Sequence, residues 1–195
     1  MPHYFDPSPG VTSIAETVTV ALPDVTFRLR TDRGVFSHGR LDAGTAVLLR
    51  AALALPPSGT ALDLGCGSGA IAATIALRAP GLAVWAVDVN ERARVLCEAT
   101  AALNDLSLTV RDPADVPADV TFDVIWSNPP IRIGKPALHE LLRTWLPRLS
   151  PAGHAVLVVH KHLGADSLQR WLGDEGFPTT RLASAKGYRL LEVRP

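Results

Sequence analysis

The sequence predicts an α/β fold: a mostly parallel sheet with helices on both faces. Two observations carry the prediction. From residue 60 to residue 176, short apolar runs alternate with amphipathic stretches of helical period. The runs are almost continuously apolar, as strands buried on both faces are, rather than alternating as half-exposed strands do. A chain of 195 residues fits one such domain and is long enough to bury a sizeable core.

The elements follow in order. "ETVTVAL" (16–22) and "VTFRLR" (25–30) are β-like, and Pro23 and Asp24 turn the chain between them, so a hairpin is expected. "GVFSHGRLDAGT" (34–45) reads as a loop. "DAGTAVLLRAALAL" (42–55) reads as a helix with Asp42 near its N-cap, ending before Pro56 and Pro57. Strand "TALDLG" (60–65) leads to a helix over 68–79. Strand "LAVWAVDV" (82–89) leads to a helix over 90–104. Strands over 106–112 and 121–127 follow, then a helix over 135–149 that Pro147 breaches near its end. "GHAVLVVHK" (153–161) is a strand and 164–176 a helix. "PTTRLAS" (178–184) and "GYRLLEVR" (187–194) close as a hairpin that adds an antiparallel strand at the sheet edge.

Composition excludes several classes. Hydrophobic residues make up 47% and charged residues 19%, which is globular rather than disordered. No apolar run approaches the roughly 18 to 20 residues that span a bilayer. "MPHYFDPSPG" has no basic segment followed by an apolar core, so no signal peptide is expected and the cytoplasm is the default. Cys66 and Cys97 fit a reducing compartment without a disulfide framework. No metal is expected, since the two histidines of "HKH" (160–162) alone make a poor site. Net charge is zero, which does not advertise nucleic-acid binding. The charge is uneven, however: residues 1–131 hold 9 Lys/Arg and 14 Asp/Glu, and residues 132–195 hold 10 and 5. This is either scatter or a mildly basic face near an anionic substrate.

The first strand–helix junction reads "LDLGCGSGAIA", residues 62–72. Gly65, Gly67 and Gly69 allow positive φ and close approach of the backbone to a ligand, and the helix after them points free N–H groups and a positive dipole end at it. A dinucleotide site favours G-x-G-x-x-G around a pyrophosphate. Here the spacing is G-x-G-x-G, preceded by Asp63, which suits a ligand with positive charge and an amino group. The next strand ends "AVDVN", placing Asp88 where a carboxylate accepts hydrogen bonds from ribose hydroxyls. The third strand ends in Asp112, which is positioned to meet an adenine amino group.

"IWSNPPIRIGK" (125–135) halts an apolar strand at Asn128, Pro129 and Pro130. The prolines stiffen the backbone and remove two N–H donors. What remains exposed is mainly acceptors: the Asn128 side-chain oxygen and the Pro129 carbonyl. Two acceptors suit a planar amine that presents two N–H bonds.

"LDLGCGSGAIA", "AVDVN" and "FDVIWSNPP" together resemble the class I S-adenosylmethionine-dependent methyltransferases. "GVFSHGRLDAGTAVLL", "NPPIRIGK" and "KGYRLLEVR" resemble, more narrowly, the small-domain methyltransferases related to the bacterial small-subunit ribosomal RNA guanine-N2 enzyme, the RsmC-like group. The resemblance implies a Rossmann-like seven-stranded sheet with one antiparallel strand. It implies residues 1–33 as a β-hairpin extension and 34–195 as the methyltransferase domain. S-adenosylmethionine would lie along Asp63, Gly65, Cys66, Gly67 and Gly69, with Asp88 and Val89 at the ribose, Asp112 at the adenine and Asn128 beside the methyl. Asn128, Pro129 and Pro130 would be catalytic, and Phe36, Ile131, Arg132 and Lys135 would meet an RNA substrate. Many such motifs continue with an aromatic that stacks on the substrate; here Ile131 stands in its place. Lys186 and Tyr188 are further candidates for the cleft border. Three rival readings are methylation of a protein glutamine amide or a small amine, a non-catalytic S-adenosylmethionine-binding module, and a nicotinamide oxidoreductase; the glycine spacing disfavours the last.

Overall fold

The computed structural model describes residues 15–32, 39–51, 53–130 and 133–195. Phe36, Ile131 and Arg132 lie outside the described residues. In chain order the elements are β1 (Ala15–Ala21), β2 (Thr26–Asp32), α1 (Ala43–Arg50), β3 (Gly59–Leu64), α2 (Ala70–Arg78), β4 (Leu82–Val87), α3 (Glu91–Leu103), β5 (Leu108–Arg111), β6 (Phe122–Ser127), α4 (Lys135–Trp145), β7 (Leu149–His160), α5 (Ala165–Asp174), β8 (Thr179–Ala185) and β9 (Tyr188–Val193).

Seven strands form one sheet in the order β5-β4-β3-β6-β7-β9-β8, and β1 with β2 forms a separate antiparallel pair. Successive residues of a strand face opposite ways, so each central strand feeds two cores. Ala61, Val84, Val124 and Val156 face one side, against Leu48 and Leu49 of α1, Ile71 and Ile75 of α2 and Cys97 of α3. Leu62, Val87, Ile125 and Leu157 face the other, against Leu142 of α4 and Leu172 of α5. The hairpin docks on α3 through its free edge: the Arg28 N–H donates to Asn104 Oδ1 (2.8 Å) and the Arg30 N–H to Thr100 Oγ1 (3.0 Å).

Four expectations shift. The antiparallel strand is β9, which lies one place in from the edge; β8, outside it, runs parallel to the rest. The reason is burial. Leu190, Leu191 and Val193 of β9 are fully buried, whereas no residue of β8 is, and an interior slot needs a strand that is apolar on both faces. Helix α1 stops at Arg50 rather than at 55. The Arg78 guanidinium, paired with Asp24, donates to the Leu49 carbonyl (2.7 Å) and satisfies an orphan acceptor of the last turn. The helix expected over 135–149 ends at Trp145 and tightens into a 3-10 turn, because Pro147 cannot donate to the α ladder. Strand β7 begins at Leu149, and its register against β6 jumps over residues 150–153 before settling at His154. Asp123 holds that region. Its Oδ2 accepts from the Thr60 N–H (2.8 Å) and its Oδ1 from the Ser150 hydroxyl (2.7 Å), and these two bonds hold its carboxyl below the usual range.

Candidate active site

From β3 the chain moves one way to β4 and returns on the other side as β6. The C-terminal ends of β3 and β6 therefore flank the topological switch point, where open α/β sheets bind ligands. Ser127 ties the two ends together, its hydroxyl donating to the Leu64 carbonyl (2.6 Å).

The glycine loop leaves β3 with φ of +76° at Gly65, +51° at Gly67 and +82° at Gly69, all in the left-handed region that favours glycine. Gly65 and Cys66 N–H both donate to the Val87 carbonyl (2.9 Å each). Gly67 N–H donates to Asp88 Oδ2 (3.0 Å). Gly69 caps α2 and is pressed on α3: a Cβ there would meet Cys97 Sγ at 2.6 Å. Gly65 faces the Asn-Pro-Pro segment, since the nearest atom to its missing Cβ is Pro130 Cδ at 4.0 Å.

The three acids behave differently. Asp63 is fully buried. Its Oδ2 accepts from Ala72 N–H (2.9 Å) in the first turn of α2, and its Oδ1 has no partner among the described residues. Burial pushes its carboxyl up to about 8, against the pull of the Ala72 N–H, and the nearby Asp88 adds to the rise. Asp88 is also buried, and both its oxygens accept backbone bonds, from Gly67 and from Asn90 (2.9 Å). Burial raises its carboxyl above the ordinary value despite those bonds. Asp88 therefore braces the glycine loop, and each of its oxygens keeps a second lone pair. Asp112 pairs with Arg94 (2.9 Å) and caps a short 3-10 turn through Ala114 N–H (3.0 Å). Val89 is exposed beyond the end of β4.

Asn128 leaves β6 beside α1. Its Nδ2 donates to Asp42 Oδ1 (2.6 Å) and to Thr45 Oγ1 (3.1 Å). A carboxylate only accepts, so the amide's NH₂ must face Asp42 and its oxygen must face away. Asn128 Oδ1 accepts no hydrogen bond among the described residues. Asp42 is itself locked, because the same oxygen caps α1 by accepting from Thr45 N–H (2.9 Å). Sequence reasoning identified Asp42 only as a cap and missed Thr45. The link to Asn128 spans 86 positions and leaves no local signal. The last hairpin also arrives here: a Cβ on Gly44 would lie 2.8 Å from Tyr188 Cε1 and 3.1 Å from Asp42 Oδ1. Lys135 is exposed at the start of α4.

The model of the family described as "methyltransferase small domain" matches residues 26–192. The chain belongs to this family. It is 30% identical over 196 residues to YbxB of Bacillus subtilis, described as an uncharacterized protein, covering 98% of both chains. It is 34% identical over 194 residues to ribosomal RNA small subunit methyltransferase C of Pseudomonas aeruginosa, covering 95% of this chain and 56% of that protein. The chain thus spans little more than half the length of that relative. Among solved structures, the T. thermophilus 16S rRNA N2 methyltransferase (RsmC), in complex with AdoMet and guanosine, superposes with a TM-score of 0.77 at 23% identity, over 95% of this chain and 52% of that one. Ribosomal protein L11 methylase from Lactobacillus delbrueckii subsp. bulgaricus superposes at 0.63, with 23% identity over 84% and 82%.

The protein is a methyltransferase of this family, and the methyl donor is S-adenosylmethionine, the AdoMet held by its T. thermophilus structural neighbour. The residues present fit that donor. The buried Asp63 Oδ1, without a partner among the described residues, suits a cation, and the Asp88 oxygens retain lone pairs beside the glycine loop. Among the described residues there is no group of three or more metal-ligating side chains, and no helix is long and apolar enough to cross a membrane.

Proposed function

We propose that the chain methylates the exocyclic N2 amine of a guanine in small-subunit ribosomal RNA. The observation that carries the reading is the Asn128 amide, held by Asp42 and Thr45 next to Gly65 and Pro130. The names of its ribosomal relatives support the RNA class.

S-adenosylmethionine, when bound, supplies an electrophilic methyl group. The chain's own task is to bind, orient and position. Asp63 and the loop Gly65, Cys66, Gly67 and Gly69 would hold the charged end, Asp88 and Val89 the ribose side, and Asp112 the adenine side. Asn128 Oδ1 and the Pro129 carbonyl would accept the two N–H bonds of the guanine amine. With both protons engaged, the lone pair is left for in-line attack, and positive charge developing on nitrogen meets two negative dipoles. The bound donor would supply the methyl and its sulfur would keep the S–C electron pair, while the amine's surplus proton would leave to water from the nitrogen held by Asn128 and Pro129. Pro130 keeps the segment stiff. Phe36, Ile131, Arg132 and Lys135 remain the proposed substrate side, with residues 1–33 an extension and 34–195 the catalytic domain. The target base would be unpaired or flipped, since its amine must meet the methyl in line. The reduced Cys66 and Cys97 suit a cytoplasmic setting.

The test is transfer of labelled methyl to RNA from a strain lacking the protein, followed by nucleoside digestion. N2-methylguanosine from small-subunit RNA is expected. Label in protein or small molecules would reject the RNA reading. Asn128→Ala should bind S-adenosylmethionine as the wild type does and lose transfer.

A further inference from the structure

We infer that a groove between α1 and β8 holds a nucleotide adjacent to the one methylated. This rests on the RNA reading above and extends it to a second binding site. The groove has a volume of about 400 Å³, enough for one nucleotide. Its floor is apolar, formed by Leu41, Ala43 and Val47 on one side and Ala183 on the other. Two cations, Arg50 and Lys186, stand in its lining. Both are exposed, and no acidic side chain among the described residues lines it.

Three features point to a nucleotide. The first is place. Leu41 and Ala43 are the two neighbours of Asp42, whose carboxylate holds Asn128, so one end of the groove lies at the start of α1, where the proposed amine acceptor is held. The second is charge: an apolar floor under a guanidinium and an ammonium group matches a flat base carried on anionic phosphates. The third is backbone geometry. Lys186 and Gly187 make the two-residue turn between β8 and β9, with φ of +51° and +81°. Such turns favour asparagine, aspartate or glycine at the first position. A lysine there accepts a left-handed backbone at a cost of about 1 kcal/mol, and strain of that kind is concentrated at functional positions. The groove also supplies contact with RNA that does not depend on the aromatic missing after Asn-Pro-Pro.

The experiment compares wild type with Arg50→Glu/Lys186→Glu. Neither residue belongs to the catalytic set. The substrate is a single-stranded RNA fragment of the small subunit, with labelled S-adenosylmethionine as donor. KM for RNA should rise roughly tenfold or more, with kcat within about twofold. The slope of log affinity against log salt should fall by about 1.4, from two lost phosphate contacts on a single strand. S-adenosylmethionine affinity, measured by calorimetry, should not change. An RNA with an abasic site next to the target guanine, tested on either side, should raise KM for wild type at one of the two positions and leave the variant's KM unmoved there. An unchanged KM in the variant overturns the groove assignment while leaving the methylation reading intact. So does loss of S-adenosylmethionine affinity, which would show that the two residues serve the fold. If wild type transfers methyl only to protein, both the RNA reading and the nucleotide assignment fall.

Discussion

Replacing Asp63 with asparagine should abolish a steep pH dependence of cofactor binding. In the wild type, burial pushes this carboxyl up to about 8 and its Oδ1 lacks a partner among the described residues. A cationic ligand selects the ionised form. At pH 7 only about one carboxyl in eleven is ionised, so apparent affinity stands about tenfold below its intrinsic value. Between pH 5.5 and 7.5 the ionised fraction, and the affinity with it, rises roughly 80-fold. Isothermal titration of S-adenosylmethionine in buffers of different ionisation enthalpy reads both quantities. At pH 7 about 0.9 proton should be released per ligand bound. A side-chain amide cannot titrate, so Asp63→Asn should show a flat profile and no release from this group. Stability without ligand should run the opposite way. The folded value lies above the ordinary 3.8, so the group's contribution is complete below that value and is lost as pH rises through about 8. A wild-type affinity that is flat from pH 5.5 to 7.5, or a variant that keeps the wild-type slope, would refute the assignment of Asp63 to the cofactor's cation.

Other predictions follow from single contacts. Asp42→Ala should lower kcat on the order of 100-fold by releasing Asn128, with S-adenosylmethionine affinity unchanged and a cap loss of about 1 kcal/mol in a melting curve; Asp42→Asn, which keeps an acceptor, should recover part of kcat. An unaltered kcat in Asp42→Ala would remove the positioning role. Gly69→Ala combines a φ of +82° with a Cβ 2.6 Å from Cys97 Sγ, and should cost about 3 kcal/mol, or roughly 6–12 °C in Tm. Adding Cys97→Ala should restore part of that loss, and no restoration would place the clash elsewhere. Asp123, held below its ordinary value by Thr60 and Ser150, contributes stability that is present above about pH 4 and lost as pH falls through its depressed value. Asp123→Ala should therefore cost about 2 kcal/mol at pH 7, read as a lower Tm, and flatten the acid limb of Tm against pH; an acid limb as steep as the wild type's would exclude this carboxylate.

Much of the scaffold was legible because its causes are local. Buried strands betray themselves by continuous apolarity, as in "AVWAV" and "AVLVV". Gly65, Gly67 and Gly69 were legible as a tight strand-to-helix loop because positive φ is a property of single residues, and all three adopt it. The stop at Asn128 was legible because two successive prolines cannot donate to a sheet ladder. Errors cluster where a distant partner decides. Helix α1 looks continuous to Pro56 until Arg78 reaches its Leu49 carbonyl. Asp88 also braces the glycine loop by accepting from the Gly67 N–H, 21 positions away, a link that no local pattern announces.

By itself, the sequence determined the α/β class, the succession of strands and helices, the glycine loop and the Asn-Pro-Pro stop after β6. Each depends on steric and hydrogen-bonding limits that a few neighbouring residues impose. Only the tertiary structure decided which strand sits inside the edge, which carboxylate is left without a partner among the described residues, and which way the Asn128 amide faces. Those depend on burial and on pairs far apart in the chain. The Asn128 amide is oriented by Asp42, 86 positions away, because a carboxylate that must accept leaves the amide one orientation in which to donate.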